Sequence, residues 1–82
     1  MKALRSSAAR AVAKTIAQAR GKAGLTQREL SKRLRRPHSV IGMIESEQRQ
    51  VNVPEFIAIA AAIGADPLEL FKNVLRECGR QS

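Results

Sequence analysis

A proline set between two helical patterns constrains this chain more than any other feature. In the segment TQRELSKRLRRPHSVIGMIE, Leu30 and Leu34 precede Pro37 at helical spacing, and Ile41 and Ile44 follow it at helical spacing. Because proline disfavours a helical conformation in the residue before it, the first of these helices must end just ahead of it. Two short helices joined by a tight turn must then cross at a steep angle.

Capping signals mark the other helix boundaries. Thr26 stands three residues before Glu29, and Asn52 stands three residues before Glu55, so each pair predicts a capping box at a helix start. A glycine at position 64 is typical of a helix end. The pattern predicts an amphipathic helix up to about residue 23, a short helix from Thr26, a third over about 38–46, a fourth after Asn52, and a last one capped by Asp66, Pro67 and Glu69.

Length and composition restrict the class of protein. A chain of 82 residues makes one small domain with a thin core. One cysteine, Cys78, and one histidine, His38, supply neither a disulfide nor a four-ligand zinc site, which suits the cytoplasm. No nucleophile or acid pair accompanies the histidine, so we expect no enzyme, cofactor or metal. We divide the chain into a flexible basic N-terminus (1–8), one domain (9–75) and a polar tail (76–82).

The positive charge lies mainly in the first part of the chain. Residues 1–36 hold eleven of the fifteen Lys and Arg residues but one of the seven acidic residues. Such a segment is attracted by nucleic acid phosphates and by anionic membranes alike. The stretch MKALRSSAARAVAKTIAQAR also has the composition of a transit peptide or membrane-surface helix. Its apolar face has only Val12 and Ile16 as bulky residues, which favours packing against other helices, so we expect no membrane partner.

Three sequence segments between Arg20 and about Phe71 match a known family without insertions or deletions between them. AGLTQREL, SVIGMIE and FIAIAAAIGADPLELF resemble the phage-repressor and Cro type of helix-turn-helix domain, the XRE family. The resemblance implies an all-α, five-helix lambda-repressor-like fold whose second and third helices form the helix-turn-helix. The stretch EQRQVNVPEF is similar to the small controller proteins of restriction-modification systems and to phage-type regulators.

The resemblance also implies roles for particular positions. It places four base-reading residues on the recognition helix and at its leading tip: His38, Ser39, Gly42 and Met43. It matches Gln27 to a residue that typically grips phosphate with its amide. With the nearby cations, the phosphate-binding set is Gln27, Arg28, Lys32, Arg35, Arg36 and Arg49. It further implies an inward ion pair between Arg20 and Glu45, both of which lie on the apolar sides of their helices.

The sequence departs from the family pattern in and around the predicted turn. Arg35 stands where glycine is usual, so it needs either a positive φ or a differently shaped turn. Pro37 replaces the usual Ser or Thr cap of the recognition helix, which removes a side-chain acceptor. Gly42 leaves the middle of the reading face without a side chain, which permits close approach to a base or means that nothing is read there.

These observations predict a sequence-specific regulator of transcription that binds double-stranded DNA as a homodimer, on a near-palindromic operator and without a small-molecule ligand. The last helix has an unusually wide apolar stripe, and we assign the dimer interface to Ile57, Leu70 and Val74. Alternatively, a thin core covers that helix on two sides. The alternative function is a protein-interaction module, such as an antitoxin or a regulatory subunit, built on the same scaffold.

Overall fold

Five helices and no strand make up the part of the chain that the structure describes. The structure is a computed structural model that describes the backbone of residues 2–81 and the side chains of residues 7–80. The helices are α1 (Lys2–Lys22), α2 (Gln27–Arg33), α3 (Val40–Glu45), α4 (Val53–Ile63) and α5 (Pro67–Gln81). The predicted all-α, five-helix architecture is confirmed. Within the described chain, no helix has the length and apolar character needed to cross a lipid bilayer.

One apolar cluster joins the first four helices. Its fully buried members are Ile16, Leu30, Ile41, Ile44 and Ile59. Burying an aliphatic side chain of this size contributes about 1.5–3 kcal/mol, so this cluster is the main force that holds α2 and α3 against α1 and α4. The two pairs of apolar residues on either side of the proline therefore do face one core, as their spacing predicts.

The capping box at the start of α2 forms as predicted. The amide of Glu29 donates to Oγ1 of Thr26 at 3.0 Å, and the amide of Thr26 donates to Oε1 of Glu29 at 2.8 Å. The backbone bond from Thr26 is the largest of the effects that lower the pKa of Glu29. Helix α2 is therefore fixed at its first residue by a local sequence signal.

The box predicted at α4 forms only in part. Asn52 accepts from the amide of Glu55 at 2.8 Å, but the carboxylate of Glu55 turns to Arg49 instead of reaching back. Gly64 ends the helix with a φ of 87°, and Asp66 then caps α5 by accepting from the amide of Leu68 at 3.0 Å. The predicted boundaries of α4 and the start of α5 are confirmed.

Helices α1 and α5 are longer than predicted and pack mainly against each other. Ala11 and Ala13 of α1 are buried. Glu77 of α5 is buried and lies 3.2 Å from Nζ of Lys14 on α1. Because this contact holds the second half of α5, the helix continues to Gln81 where a loose tail was expected. The predicted flexibility of residues 1–8 stays a prediction, because most of their side chains lie outside the described part of the structure.

The apolar stripe of α5 is divided between the core and the surface. Leu70 and Val74 are only 3% and 5% exposed. This corrects their assignment to a dimer interface, because both are buried within the monomer. Ile57, by contrast, is 51% exposed on α4. The outward residues of α5 are Leu68, Phe71 and Leu75, which the predicted interface did not include.

Candidate nucleic-acid interface

The turn between α2 and α3 is built around a left-handed arginine. Arg35 has a φ of 57°, so of the two alternatives expected at this position the structure has the positive φ. Its amide donates to the carbonyl of Lys32 at 2.9 Å, and the amide of Arg36 donates to the carbonyl of Ser31 at 3.0 Å. These two bonds form a Schellman motif, so the turn keeps a standard helix-ending geometry without glycine.

Helix α3 begins at Val40, two residues later than the predicted start, and ends at Glu45. The amide of Val40 donates to the carbonyl of Pro37 at 3.1 Å in a tight turn, and the side chain of Ser39 makes no capping bond. The amide of Ile41 would reach the same proline carbonyl in a regular α-helix. It donates instead to Oγ of Ser31 at 3.2 Å. The first turn is therefore tighter than an α-helix, and the helix proper starts later.

Ser31 is the functional residue that the sequence analysis missed. Its side chain is completely buried on α2, yet its hydroxyl serves the first turn of α3. This hydroxyl supplies an acceptor at a helix start where Pro37 provides no side-chain cap. The sequence did contain a signal for this role. Ser31 is a polar residue on the inner side of α2, and the helix that follows has no capping side chain.

Three of the four predicted base-reading residues are exposed together. His38 and Ser39 lie in the turn that leads into α3, and Met43 lies one turn further along it with 37% of its surface exposed. Gly42 is half-buried. We call these four residues the reading face. The opposite side of α3 carries buried Ile41 and Ile44, so the core holds the reading face outward.

A cationic depression adjoins the reading face. Its lining consists of four residues predicted to bind phosphate and one predicted to read bases, all of them exposed: Arg28, Lys32, Arg35, Arg36 and His38. The neighbouring Arg33 is not part of it, because its Nη1 donates to the carbonyl of Ala62 near the end of α4 at 2.9 Å. The cations between positions 32 and 36 are thus divided between the depression and the end of α4.

Arg20 and Glu45 form the ion pair that the family resemblance implied. Nε of Arg20 lies 2.6 Å from Oε2 of Glu45, and Nη2 lies 3.0 Å from Oε1. The hydrogen bond to this carboxylate raises the pKa of Arg20. Nη1 of the same arginine donates to the carbonyl of Leu25 at 2.8 Å. One side chain therefore ties α1 to α3 and to the loop before α2.

Gln27 joins this pair. Its Nε2 donates to Oε1 of Glu45 at 2.8 Å, so its amide lies across the end of α3 while the residue remains exposed. The predicted phosphate contact would have to be made by an amide that already holds this bond. Phosphate binding by Gln27 therefore remains a prediction.

Arg49 is also engaged within the protein. Its two terminal nitrogens lie 2.8 Å from the two carboxylate oxygens of Glu55, and this hydrogen bonding raises the pKa of the arginine. Nη2 of Arg36 approaches the same carboxylate at 3.8 Å. Of the predicted phosphate-binding residues, Arg49 and Gln27 are therefore held by intramolecular bonds, whereas the other four surround the depression.

Comparison with known proteins gives the same assignment. A family model described as helix-turn-helix matches residues 16–70, which is more than half of the chain. The structure is similar to that of an XRE-family like protein from Pseudomonas syringae pv. tomato str. DC3000, with 33% sequence identity, a TM-score of 0.82 and 92% of each chain covered. No curated protein matches the sequence. The chain belongs to the XRE family of helix-turn-helix proteins, a family of DNA-binding regulators.

Proposed function

We propose that the chain is a sequence-specific regulator of transcription that binds double-stranded DNA as a homodimer in the cytoplasm. The observation that carries the proposal is the junction of the reading face with the cationic depression, since His38 belongs to both. Sequence-specific binding requires base contacts and phosphate contacts from one rigid surface. The family assignment supports duplex DNA as the partner.

The geometry suggests how the duplex would lie. A short helix with its inner side buried and its outer side exposed fits the major groove, while the preceding helix lies over the backbone. In this arrangement Arg28, Lys32, Arg35 and Arg36 face phosphates, and His38, Ser39 and Met43 face base edges. Arg49 would have to exchange its two bonds to Glu55 for phosphate contacts. We therefore expect Arg49 to contribute less to DNA binding than the other cations.

An apolar surface on α4 and α5 supports the homodimer. The rings of Phe56 on α4 and Phe71 on α5 meet edge to face with centroids 6.1 Å apart, so the two helices are in contact at this point. We define the apolar surface by its exposed members, which are Val53, Ile57, Leu68, Phe71 and Leu75. Two copies that associate through this surface would present two reading faces, which suits a near-palindromic operator with half-sites about 34 Å apart.

Selection of bound sequences from a random duplex pool, followed by footprinting of the winners, tests the proposal. We expect a two-fold symmetric consensus for the wild type. Ser39→Ala or His38→Ala should relax the preference at particular positions. Lys32→Ala should weaken binding to every duplex alike and flatten the salt dependence by about one unit of slope. Lys72→Ala is the matched control, because Lys72 lies on α5 beside Glu69 and outside the depression.

The same apolar surface also favours the second candidate, a protein-interaction module. Such a module would bind another protein through α4 and α5 and would show no base preference. A pool that yields no consensus, together with a copurifying protein that masks Ile57 and Leu75 from labelling after cysteine substitution, would overturn the regulator and support the module.

A further inference from the structure

The gap that Gly42 leaves in the reading face is occupied by a side chain from another helix. A Cβ placed on Gly42 would lie 3.1 Å from Oε1 of Gln27 and 3.8 Å from its Cδ. The amide of Gln27 therefore covers the position where a side chain of residue 42 would begin. Only glycine at position 42 leaves room for the Gln27 amide in this place, because a Cβ atom rarely makes a contact as short as 3.1 Å.

Glu45 determines which end of the Gln27 amide faces which way. An ionised carboxylate only accepts hydrogen bonds, so the amide must direct its NH2 group toward Oε1 of Glu45, at 2.8 Å. Nη2 of Arg20 donates to the same oxygen at 3.0 Å and holds it in place. The carbonyl oxygen of Gln27 is thereby left over Gly42. No group among the described residues donates a hydrogen bond to it.

We propose that Gln27, although it belongs to α2, reads a base edge through Oε1 at the place that Gly42 leaves open. The inference rests on the proposed function and names the chemistry of one contact. A fixed acceptor at this point takes a base that presents an exocyclic amino group in the major groove, which is N6 of adenine or N4 of cytosine. Guanine and thymine present oxygen acceptors there and are disfavoured.

This role is compatible with a phosphate contact but differs from it. The NH2 group of Gln27 has two hydrogens, and the one not donated to Glu45 remains able to donate to a phosphate oxygen. Oε1 cannot bond to a phosphate oxygen, because both atoms are hydrogen-bond acceptors. A phosphate contact carries no sequence information, whereas an acceptor held over α3 does.

The test compares Gln27→Met with the wild type on the operator selected from the random pool. Methionine keeps the length of the side chain and removes the acceptor. We expect one position in each half-site at which the wild type prefers adenine or cytosine by about tenfold. Gln27→Met should remove the base preference at that position and leave the other positions unchanged. Gln18→Met on α1 is the matched control, because Gln18 is also an exposed glutamine but lies outside the helix-turn-helix.

A base analogue makes the test specific to one atom. Replacing the preferred base by its analogue without the exocyclic amino group should weaken wild-type binding by about tenfold more than binding of Gln27→Met. Gly42→Ala gives an independent route to the same readout. Its Cβ would lie 3.1 Å from Oε1, so this oxygen must shift by a few tenths of an ångström, and we expect a reduced preference at the same position without loss of helix.

The outcomes separate the two hypotheses. If no consensus emerges for the wild type, the proposed function fails. If the consensus emerges but both variants keep the full base profile, or if Gln27→Met weakens all duplexes equally, the reading role of Gln27 is overturned and the proposed function stands.

Discussion

Arg35 holds a left-handed backbone conformation in the turn between α2 and α3. At a φ of 57°, a residue with a Cβ loses roughly 1 kcal/mol compared with glycine. The same residue lines the cationic depression, where glycine would contribute no charge. We infer that this position gives up some stability in exchange for a cation at the interface.

Arg35→Gly tests this inference because stability and DNA binding should change in opposite directions. The free energy of unfolding, measured by urea titration, should rise by roughly 0.5–1 kcal/mol as the strain is relieved. Affinity for specific and random duplex should fall together, and the salt slope should decrease by about one.

Glu47→Gly is the matched control for that change. Glu47 has a φ of 66° in the corresponding turn after α3 but lies 3.7 Å from Arg10, not in the depression. It should also gain stability, without loss of DNA affinity. Equal losses of affinity in the two variants would contradict the assigned role of Arg35.

At the scale of elements, α2 and α3 depend on contacts with their neighbours. They contain seven and six residues, and helices shorter than about 12–15 residues are marginal alone. The hydroxyl of Ser31 connects them through the amide of Ile41. Together with the Arg20–Glu45 pair, this bond sets the position of α3, and therefore the direction in which the reading face points.

Ser31→Ala should destabilise the protein by about 1–3 kcal/mol, because it leaves the buried amide of Ile41 without its acceptor. Urea unfolding measures the loss, and hydrogen exchange should show lower protection at Ile41. Ser39→Ala is the control at the same helix start, since the side chain of Ser39 makes no capping bond and its removal should change stability by less than about 0.5 kcal/mol. Similar losses in both variants would contradict the bridging role.

The elements also show which features could be predicted from the sequence. The capping box of Thr26 and Glu29 was predictable, because it depends on two residues three positions apart. The positive φ of Arg35 was one of two alternatives that the family resemblance left open. The start of α3 was not, since it depends on Ser31, ten residues before its partner.

The candidate site was predictable to a similar extent. Residue type and spacing indicated the cations of the depression and the exposed reading face. They did not indicate that Glu55 would hold Arg49, or that Gln27 would cover Gly42. On α5, spacing gave the width of the apolar stripe, but only the packing of the helices shows that Leu70 and Val74 are its buried part.

At the scale of the whole molecule, two exposed surfaces have opposite character. The cationic depression, formed by α2 and the turn that follows it, suits a polyanion, and the apolar surface on α4 and α5 suits a protein partner. Helix α3 has six residues, so under the proposed function one copy of the chain would contact few bases and have limited specificity. Association of two copies would link two such contacts on one DNA molecule.

Ile57→Glu and Leu75→Glu test this arrangement, because each places a charge on the apolar surface without disturbing a buried residue. Both variants should keep their helical content and sediment as monomers. Because the second half-site contact is then no longer intramolecular, affinity for the full operator should fall by about 10²–10⁴, while affinity for an isolated half-site stays constant. Asn73→Glu is the control, since this exposed residue of α5 lies away from the apolar side and should leave a dimer. A wild type that sediments as a monomer on its operator, or charged variants that keep full operator affinity, would refute the dimer and leave one copy of the chain as the binding unit.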